Sequence, residues 1–269
     1  MKKILLISVI LLMWISVAAA DTVGDAVEVS VITDNGWSLP FYTVKTYHNL
    51  KKVYAEANNG DYYRIVVRNK LNRRVGVVIA VDGRNIISGQ KSWLKNTERM
   101  YIIDPYSTNE FSGWRTGQDK INRFYFTDVP DSYAAAFGDK SAMGVIAVTV
   151  YPEIQRYEPP RQYSFSAPEK KMQNEMQDRA AAPSASGAAK GQLQASESAG
   201  TGYGHEEYSP SYRVDFNPEA NAMESILIKY EWHKTLCKMN IIHCGRIHEP
   251  AYNRLWENDG YAPPPPCCR

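Results

Sequence analysis

The chain has 269 residues, of which 44% are hydrophobic and 22% charged, as in an ordinary globular protein. Its 31 Lys and Arg exceed its 29 Asp and Glu by only two, and Lys2 and Lys3 at the start account for that excess. A nucleic-acid-binding protein needs a clustered basic surface, so this composition excludes nucleic acid as an expected partner. The 18 Tyr against 7 Phe favour half-buried sheet faces, where a packed ring keeps its hydroxyl in water.

Residues 1–20 have the three parts of a secretory signal peptide. Lys2 and Lys3 precede an uncharged apolar run over 4–17, and Ala18-Ala19-Ala20 offers small residues for cleavage before Asp21. The apolar run is shorter than the roughly 20 residues that span a bilayer, although an uncleaved anchor is the alternative. We therefore predict a periplasmic or secreted protein with no stable membrane span after cleavage.

Short, regularly interrupted strands are predicted between residues 26 and 152. Apolar residues alternate with polar ones in 27–32 and 63–68, and the run 75–81 is apolar enough to be covered on both faces. Further strands are predicted at 41–47, 100–103, 123–127 and 143–151. Because no βαβ rhythm is present, the pattern predicts an all-β fold, an antiparallel sandwich. One helix is expected from Asp131 to Phe137, with Asp131 as its N-cap.

The remainder of the chain divides into a linker, late strands and a tail. Residues 158–204 are rich in Ala, Ser, Gly and Gln and predict a long disordered insertion. Alternation at 212–216 and 226–230 predicts two strands, followed by a short C-terminal helical turn within 232–239. The elements of 209–248 are too few to fold alone, so we expect them to complete the single β domain. A Pro/Cys-rich tail follows at 249–269.

The four cysteines lie late in the chain, at Cys237, Cys244, Cys267 and Cys268. An even number in an exported protein favours disulfides, and four cysteines allow three pairings. Because a bond between adjacent cysteines closes a strained ring, we expect the tail cysteines to pair with Cys237 and Cys244. Such bonds would close loops of about 25–30 residues and contribute roughly 3–4 kcal/mol.

The alternatives for the same segment are unpaired or intermolecular thiols and a metal site. His243, Cys244 and His248 provide imidazole and thiol ligands of the kind that zinc takes, but their spacing matches no standard finger. The favoured interpretation therefore predicts neither a metal nor a cofactor.

Three loops carry the residues that we consider for ligand binding. Strand-end loops of a sandwich are common ligand sites, and a Trp beside an Arg offers a stacking platform. The candidate binding residues are Asp82, Arg84, Asn85, Asp104, Trp114 and Arg115. A simpler interpretation is that the aspartates are turn residues and that Trp114 packs at the sandwich edge. A pair of carboxyls at Asp82 and Asp104 would suit glycan hydrolysis if they faced each other across a cleft.

Several segments resemble a group of exported bacterial β-sandwich-like proteins to which no activity is assigned. The resembling segments are 68–69, 73–78, 81–89, 113–115, 124–127, 132–134, 202–204 and 208–209. The resemblance implies a bacterial origin and one β unit, and it implies no catalytic residues.

The sequence thus favours an exported, non-catalytic envelope protein that binds a partner or contributes to surface structure. Its expected partner is an envelope protein or a glycan. The alternatives are a glycan-acting hydrolase that uses loop carboxylates and a metal-handling protein that uses the C-terminal Cys and His residues.

Overall fold

The computed structural model describes residues 20–47, 49–155 and 198–244. Fourteen strands and two short helices are found among them. The strands are β1 Val27–Thr33, β2 Phe41–Tyr47, β3 Leu50–Ala57, β4 Tyr62–Asn69, β5 Val75–Val81, β6 Arg84–Asn85, β7 Tyr101–Ile103, β8 Thr108–Phe111, β9 Gly113–Arg115, β10 Lys120–Asp128, β11 Val145–Pro152, β12 Ala199–Thr201, β13 Glu206–Tyr208 and β14 Glu224–Trp232. The helices are α1 Tyr133–Ala136 and α2 His233–Lys238.

The strands form two sheets, which confirms the predicted all-β sandwich. Sheet I has the order β1-β4-β10-β12, with β8 beside β4 and with β9 and β13 beside β10. Sheet II has the order β2-β3-β14-β11-β5-β6, with β7 beside β5. All pairings between these strands are antiparallel except that of β14 with β3, so the late strand β14 inserts into the middle of sheet II. β14 thus pairs with the earlier strands β3 and β11 within one sheet.

One apolar core lies between the sheets, and strand periodicity explains its composition. In β1, every second side chain, from Val27 to Thr33, is buried, because alternate residues of a strand point to opposite faces. All of β5 is buried, as the unbroken apolar run predicted. Gly76 of β5 lies against Met100 and Phe216, so later segments cover the outer face of this strand.

Glu224, at the start of β14, joins the two sheets through a buried carboxylate. Its Oε1 accepts a hydrogen bond of 2.8 Å from the amide of Asp25, and its Oε2 accepts one of 2.8 Å from the amide of Ala26. These amides lead into β1 of sheet I, so the carboxylate of sheet II accepts hydrogen bonds from the backbone of the other sheet and satisfies the buried Ala26 donor.

Three local predictions are wrong in detail. Ser132, not Asp131, caps α1, because the Ser132 hydroxyl accepts a hydrogen bond from the amide of Ala135. The linker predicted to extend to residue 204 ends earlier, since β12 and the buried residues Gly200 and Thr201 belong to sheet I. No strand forms at 212–216, although Phe216 lies over β5 at Gly76. The short helix predicted within 232–239 is confirmed as α2.

Neither helix of the described residues has the length and apolar character required to cross a membrane. The predicted signal peptide falls on residues that are not described, apart from Ala20. Most of the predicted insertion and the tail, including Cys267 and Cys268, also lie outside the described residues.

Candidate functional site

Asp82 lies at the centre of a buried hydrogen-bond network between the two sheets. Its side chain is fully buried. Oδ1 accepts hydrogen bonds from the Gly144 amide at 2.8 Å and from the Tyr230 hydroxyl at 2.6 Å. Oδ2 accepts one from the Thr201 amide at 2.7 Å. The carboxyl group thereby joins the end of β5 to β14 in its own sheet and to β12 of sheet I.

A chain of hydroxyl groups continues this network across the core. The Thr201 hydroxyl lies 2.7 Å from the Tyr230 hydroxyl and 2.8 Å from the Tyr63 hydroxyl. Burial raises the pKa of Tyr63 and of Tyr230 well above 10, and the Asp82 carboxylate raises the pKa of Tyr230 further. Both phenols therefore keep their protons and act as donors or acceptors as the network requires.

The backbone at Asp82 explains why this residue starts a turn and also serves the core. Asp82 has φ +50° and Gly83 has φ +79°, so both adopt the left-handed conformation that a tight hairpin turn needs. Aspartate tolerates this conformation better than most side chains. The interpretation of Asp82 as a turn residue is thus confirmed, and the turn directs the Asp82 carboxyl inwards.

Burial raises the pKa of the Asp82 carboxyl from 3.8 to about 6, against the opposing effect of the hydrogen bonds from Tyr230, Thr201 and Gly144 and of the Lys229 charge. A folded pKa above the unfolded one means that the folded state binds the proton more tightly. The contribution to stability is complete below pH 4 and decreases as the pH rises through about 6.

We expect the Asp82 contribution to unfolding free energy to fall by about 2–3 kcal/mol between pH 4 and pH 7. Urea denaturation across this range should show the decrease in the wild-type protein. In Asp82→Asn, which has no titratable group there, the decrease should be smaller by the same amount. Parallel pH profiles for the two proteins would contradict the raised pKa.

The other sequence-predicted binding residues near Asp82 support the fold around them. Asn85 is buried, and its Oδ1 accepts hydrogen bonds from the amides of Ile87 and Ser88 in its own loop. The Arg84 guanidinium donates to the Gly89 carbonyl at 2.7 Å and lies 4.1 Å from the centre of the Phe137 ring. These contacts order the loop after β6 rather than leave it open to a ligand.

Trp114 and Arg115 do not form an exposed platform. Trp114 is only 2% exposed, and its indole Nε1 donates to the Gly202 carbonyl at 3.0 Å. Arg115 donates from Nε to the Tyr101 hydroxyl at 2.9 Å and from Nη1 to the Ser209 carbonyl at 2.6 Å. The simpler interpretation, in which Trp114 packs in the sandwich, matches this placement.

Asp82 and Asp104 lie at opposite ends of β5. Ile103 pairs with Val75, so Asp104 follows at the start of β5, whereas Asp82 directly follows its end. At 3.3 Å per residue, the strand separates them by roughly 25 Å. Glycosidase carboxyl pairs lie about 5–9.5 Å apart, so these two cannot act as such a pair.

An open aromatic cleft of about 500 Å³ lies beside α1. Its lining is Tyr125, Asp131, Ser132, Tyr133, Ala136, Phe137 and Tyr203. Tyr133 and Tyr203 stack with their centroids 5.3 Å apart and their planes inclined by 14°. Below them, the Trp114 ring lies 4.4 Å from Tyr133. Of the cleft residues, Tyr203 is 45% exposed and Phe137 57% exposed.

Glycines bring the parts of the aromatic cleft close together. A side chain at Gly202 would overlap the Tyr125 ring, and one at Gly200 would crowd Ser132, the cap of α1. Without these glycines, β12 could not approach β10 and α1 so closely. The aromatic surface continues along sheet I, where Tyr62 lies 5.5 Å from Tyr125 and 5.3 Å from the ring of His205.

The cysteine pairing differs from the expected one. Cys237 and Cys244 are bonded to each other, with Cα atoms 5.6 Å apart and seven positions separating them in sequence. Such a short loop contributes about 2–3 kcal/mol in the chain-entropy model, less than the predicted longer loops. The proposed metal ligand His243 is exposed, and His248 lies outside the described residues.

Sequence patterns missed most of the aromatic cleft. Tyr203 falls inside the predicted linker, and Tyr133 falls in a short helix to which no function was given. The alternating glycines at 200, 202 and 204 were the available signal, since repeated glycines mark a close approach of backbone to other groups. The fold and the cleft together define an all-β sandwich protein with an exposed aromatic groove at one edge.

Comparisons with protein-family models, with curated proteins and with solved structures find no match for this chain. The resemblance to exported bacterial β-sandwich-like proteins therefore stays a prediction.

Proposed function

We propose that this protein is an exported, non-catalytic binding module that holds a glycan of the bacterial envelope in the aromatic cleft. The observation that carries the proposal is the stack of the exposed Tyr203 on the half-buried Tyr133, beside the exposed Phe137. The cleft, of about 500 Å³, is shallow and open, so a bound sugar would lie along its surface.

The chemistry of the cleft favours a sugar over a purely apolar ligand. A pyranose ring has an apolar C–H face that packs on an aromatic ring and an edge of hydroxyl groups that require hydrogen-bond partners. Tyr203 and Phe137 offer ring surface, while the exposed Asp131 carboxylate and the tyrosine hydroxyls offer polar partners at the rim. The extension of aromatic rings through Tyr125 and Tyr62 suits a ligand longer than one sugar.

The cleft is also prepared before a ligand arrives. Trp114 is held by its hydrogen bond to Gly202 and supports Tyr133 from below, and Arg84 packs against Phe137. Rings that are already ordered lose little side-chain entropy on binding, so a modest contact area can give measurable affinity.

Export supports an envelope ligand. Residues 1–20 have the composition of a signal peptide, and a disulfide joins Cys237 to Cys244, as is common in oxidising compartments. An exported protein meets cell-wall glycan and surface polysaccharide before it meets cytoplasmic ligands.

We expect Tyr203→Ala to weaken glycan binding at least tenfold, because it removes one face of the stacked pair, and this change equals about 1.4 kcal/mol. Titration calorimetry with cell-wall oligosaccharides and with purified envelope polysaccharide measures the affinity. Tyr212→Ala is the matched control, since Tyr212 is more exposed and lies outside the cleft. The proposal would be contradicted if the protein bound neither class of glycan. It would also be contradicted if Tyr203→Ala and Tyr212→Ala changed the affinity equally.

A further inference from the structure

A second group of side chains, separate from the aromatic cleft, surrounds the disulfide between Cys237 of α2 and Cys244. His233 begins α2, Cys237 lies one turn later, and Cys244 returns to the same side of the helix after the chain turns. One ligand atom from each of these three residues lies within 4.8 Å of the others. The His233 Nε2 is 3.9 Å from the Cys244 Sγ.

We propose that the reduced protein binds one thiophilic divalent cation, of the zinc type, through the Cys237 and Cys244 sulfurs and the His233 Nε2. Two thiolates and one imidazole are a common ligand set for such an ion, with a fourth position for solvent or a ligand. Zinc–sulfur bonds of about 2.3 Å and zinc–nitrogen bonds of about 2.0 Å place ligand atoms roughly 3.3–3.8 Å apart. The three atoms need only small movements to reach these separations once the disulfide opens.

Glu56 provides the support that metal-bound histidines usually have. Its Oε1 lies 2.9 Å from the His233 Nδ1, so the imidazole is oriented from β3 with its Nε2 towards the sulfur atoms. A carboxylate on the distal nitrogen fixes the ring and makes the ligating nitrogen more basic. His233 is largely exposed, so an ion can reach the site from solvent.

The redox state decides whether the site exists. In the disulfide, both sulfurs share a covalent bond and neither is a thiolate. A small dithiol reductant can transfer two electrons to the disulfide, becoming a cyclic disulfide itself and leaving two thiols. Binding of the cation then displaces both thiol protons. A small disulfide can reoxidise the site by accepting two electrons and two protons and becoming two thiols, which re-forms the Cys237–Cys244 bond and releases the ion. The disulfide and the metal therefore exclude each other.

This site differs from the one considered on sequence alone. That interpretation used His243 and His248 as ligands, whereas the geometry selects His233. His233 lies ten positions before His243 in the sequence and comes close to the two cysteines only after α2 folds. His233→Ala and His243→Ala therefore form a matched pair of variants that separates the two interpretations.

The test is a cobalt and zinc titration of the full chain carrying Cys267→Ser and Cys268→Ser, which prevents the tail thiols from binding metal. After reduction and removal of the dithiol under anaerobic conditions, one Co²⁺ per chain should give the intense visible spectrum of tetrahedral thiolate coordination, and Zn²⁺ should displace it. The oxidised protein should bind neither ion at the same concentrations.

We expect Cys237→Ser and His233→Ala to weaken Zn²⁺ binding at least 100-fold and tenfold, respectively. Glu56→Gln, acting through His233, should weaken it about tenfold. His243→Ala should leave it unchanged, and circular dichroism should show that each variant keeps its β structure. Sub-stoichiometric binding, equal binding by the oxidised protein, or a loss caused by His243→Ala but not by His233→Ala would overturn the proposal. Glycan affinity is measured on the same samples, so failure of one site leaves the other independently tested.

Discussion

Asp82→Ala is expected to lower the unfolding free energy by about 4–6 kcal/mol, a large part of the stability of an ordinary domain. The substitution removes the acceptor of three buried hydrogen bonds, from Gly144, Thr201 and Tyr230. The Gly144 and Thr201 amides lose this acceptor, whereas the Tyr230 hydroxyl keeps the Thr201 hydroxyl as a partner. It also places alanine at φ +50°, which costs about a further 1 kcal/mol. Urea denaturation followed by tyrosine and tryptophan fluorescence measures the change.

Two variants make the Asp82 result specific. Asp82→Asn tolerates the positive φ and keeps one acceptor oxygen, so it should cost less than Asp82→Ala, about 2–3 kcal/mol. Asp104→Ala, at the exposed end of β7, should change stability by no more than about 0.5 kcal/mol. Equal effects of Asp82→Ala and Asp104→Ala would show that the buried network does not hold the sheets together.

Trp114→Ala is the second large effect, and we expect a loss of about 3–5 kcal/mol. The substitution leaves a cavity beneath the aromatic cleft and removes contacts with Tyr133 and with Phe124, whose ring meets the indole edge-on at 5.2 Å. The Gly202 carbonyl also loses its hydrogen bond from the indole. Because Tyr133 then lacks support, glycan affinity should fall even at temperatures where the variant is folded.

The matched control is Trp93→Ala, since Trp93 is 69% exposed. It should cost no more than about 0.5 kcal/mol and leave the cleft unaffected. Trp114→Phe keeps a ring but loses the donor and should fall between the two, at about 1–2 kcal/mol. If Trp114→Ala were as mild as Trp93→Ala, the packing under the cleft would not be rigid, and the case for a prepared binding surface would fail.

Most of the strands could be predicted because their signals are local. Alternation in 27–32 and 63–68 and the apolar run at 75–81 reflect which face each residue presents, and neighbours in sequence carry that information. The strand predicted at 212–216 failed because its alternation serves a different purpose: Phe216 covers β5 from outside, and the backbone at 212–216 forms no strand pairing. The sequence does not predict the short strand β12, because its residues are small and lie in a low-complexity context. The structure nevertheless pairs them with β10 in the interior.

The sequence predicts the surroundings of the candidate binding residues less accurately than it predicts the strands. The sequence predicts Asp82, Asn85 and Trp114 as loop or edge residues, whereas all three are buried and stabilise the fold. Turn chemistry identified the conformation of Asp82 correctly, but it cannot say which way the carboxyl points, because this depends on Thr201 and Tyr230, which are 119 and 148 positions later in the chain.

The sequence by itself determined the all-β class, the doubly covered strand β5, the turn at Asp82-Gly83 and the late return of β14, since each follows from side-chain periodicity or from the backbone preference of a few adjacent residues. Only the tertiary structure decided that Asp82 and Asp104 lie at opposite ends of one strand, that Tyr133 and Tyr203 stack, and that Cys237 joins Cys244 beside His233. These relations depend on distances between segments far apart in the chain, and such distances are set when the two sheets pack.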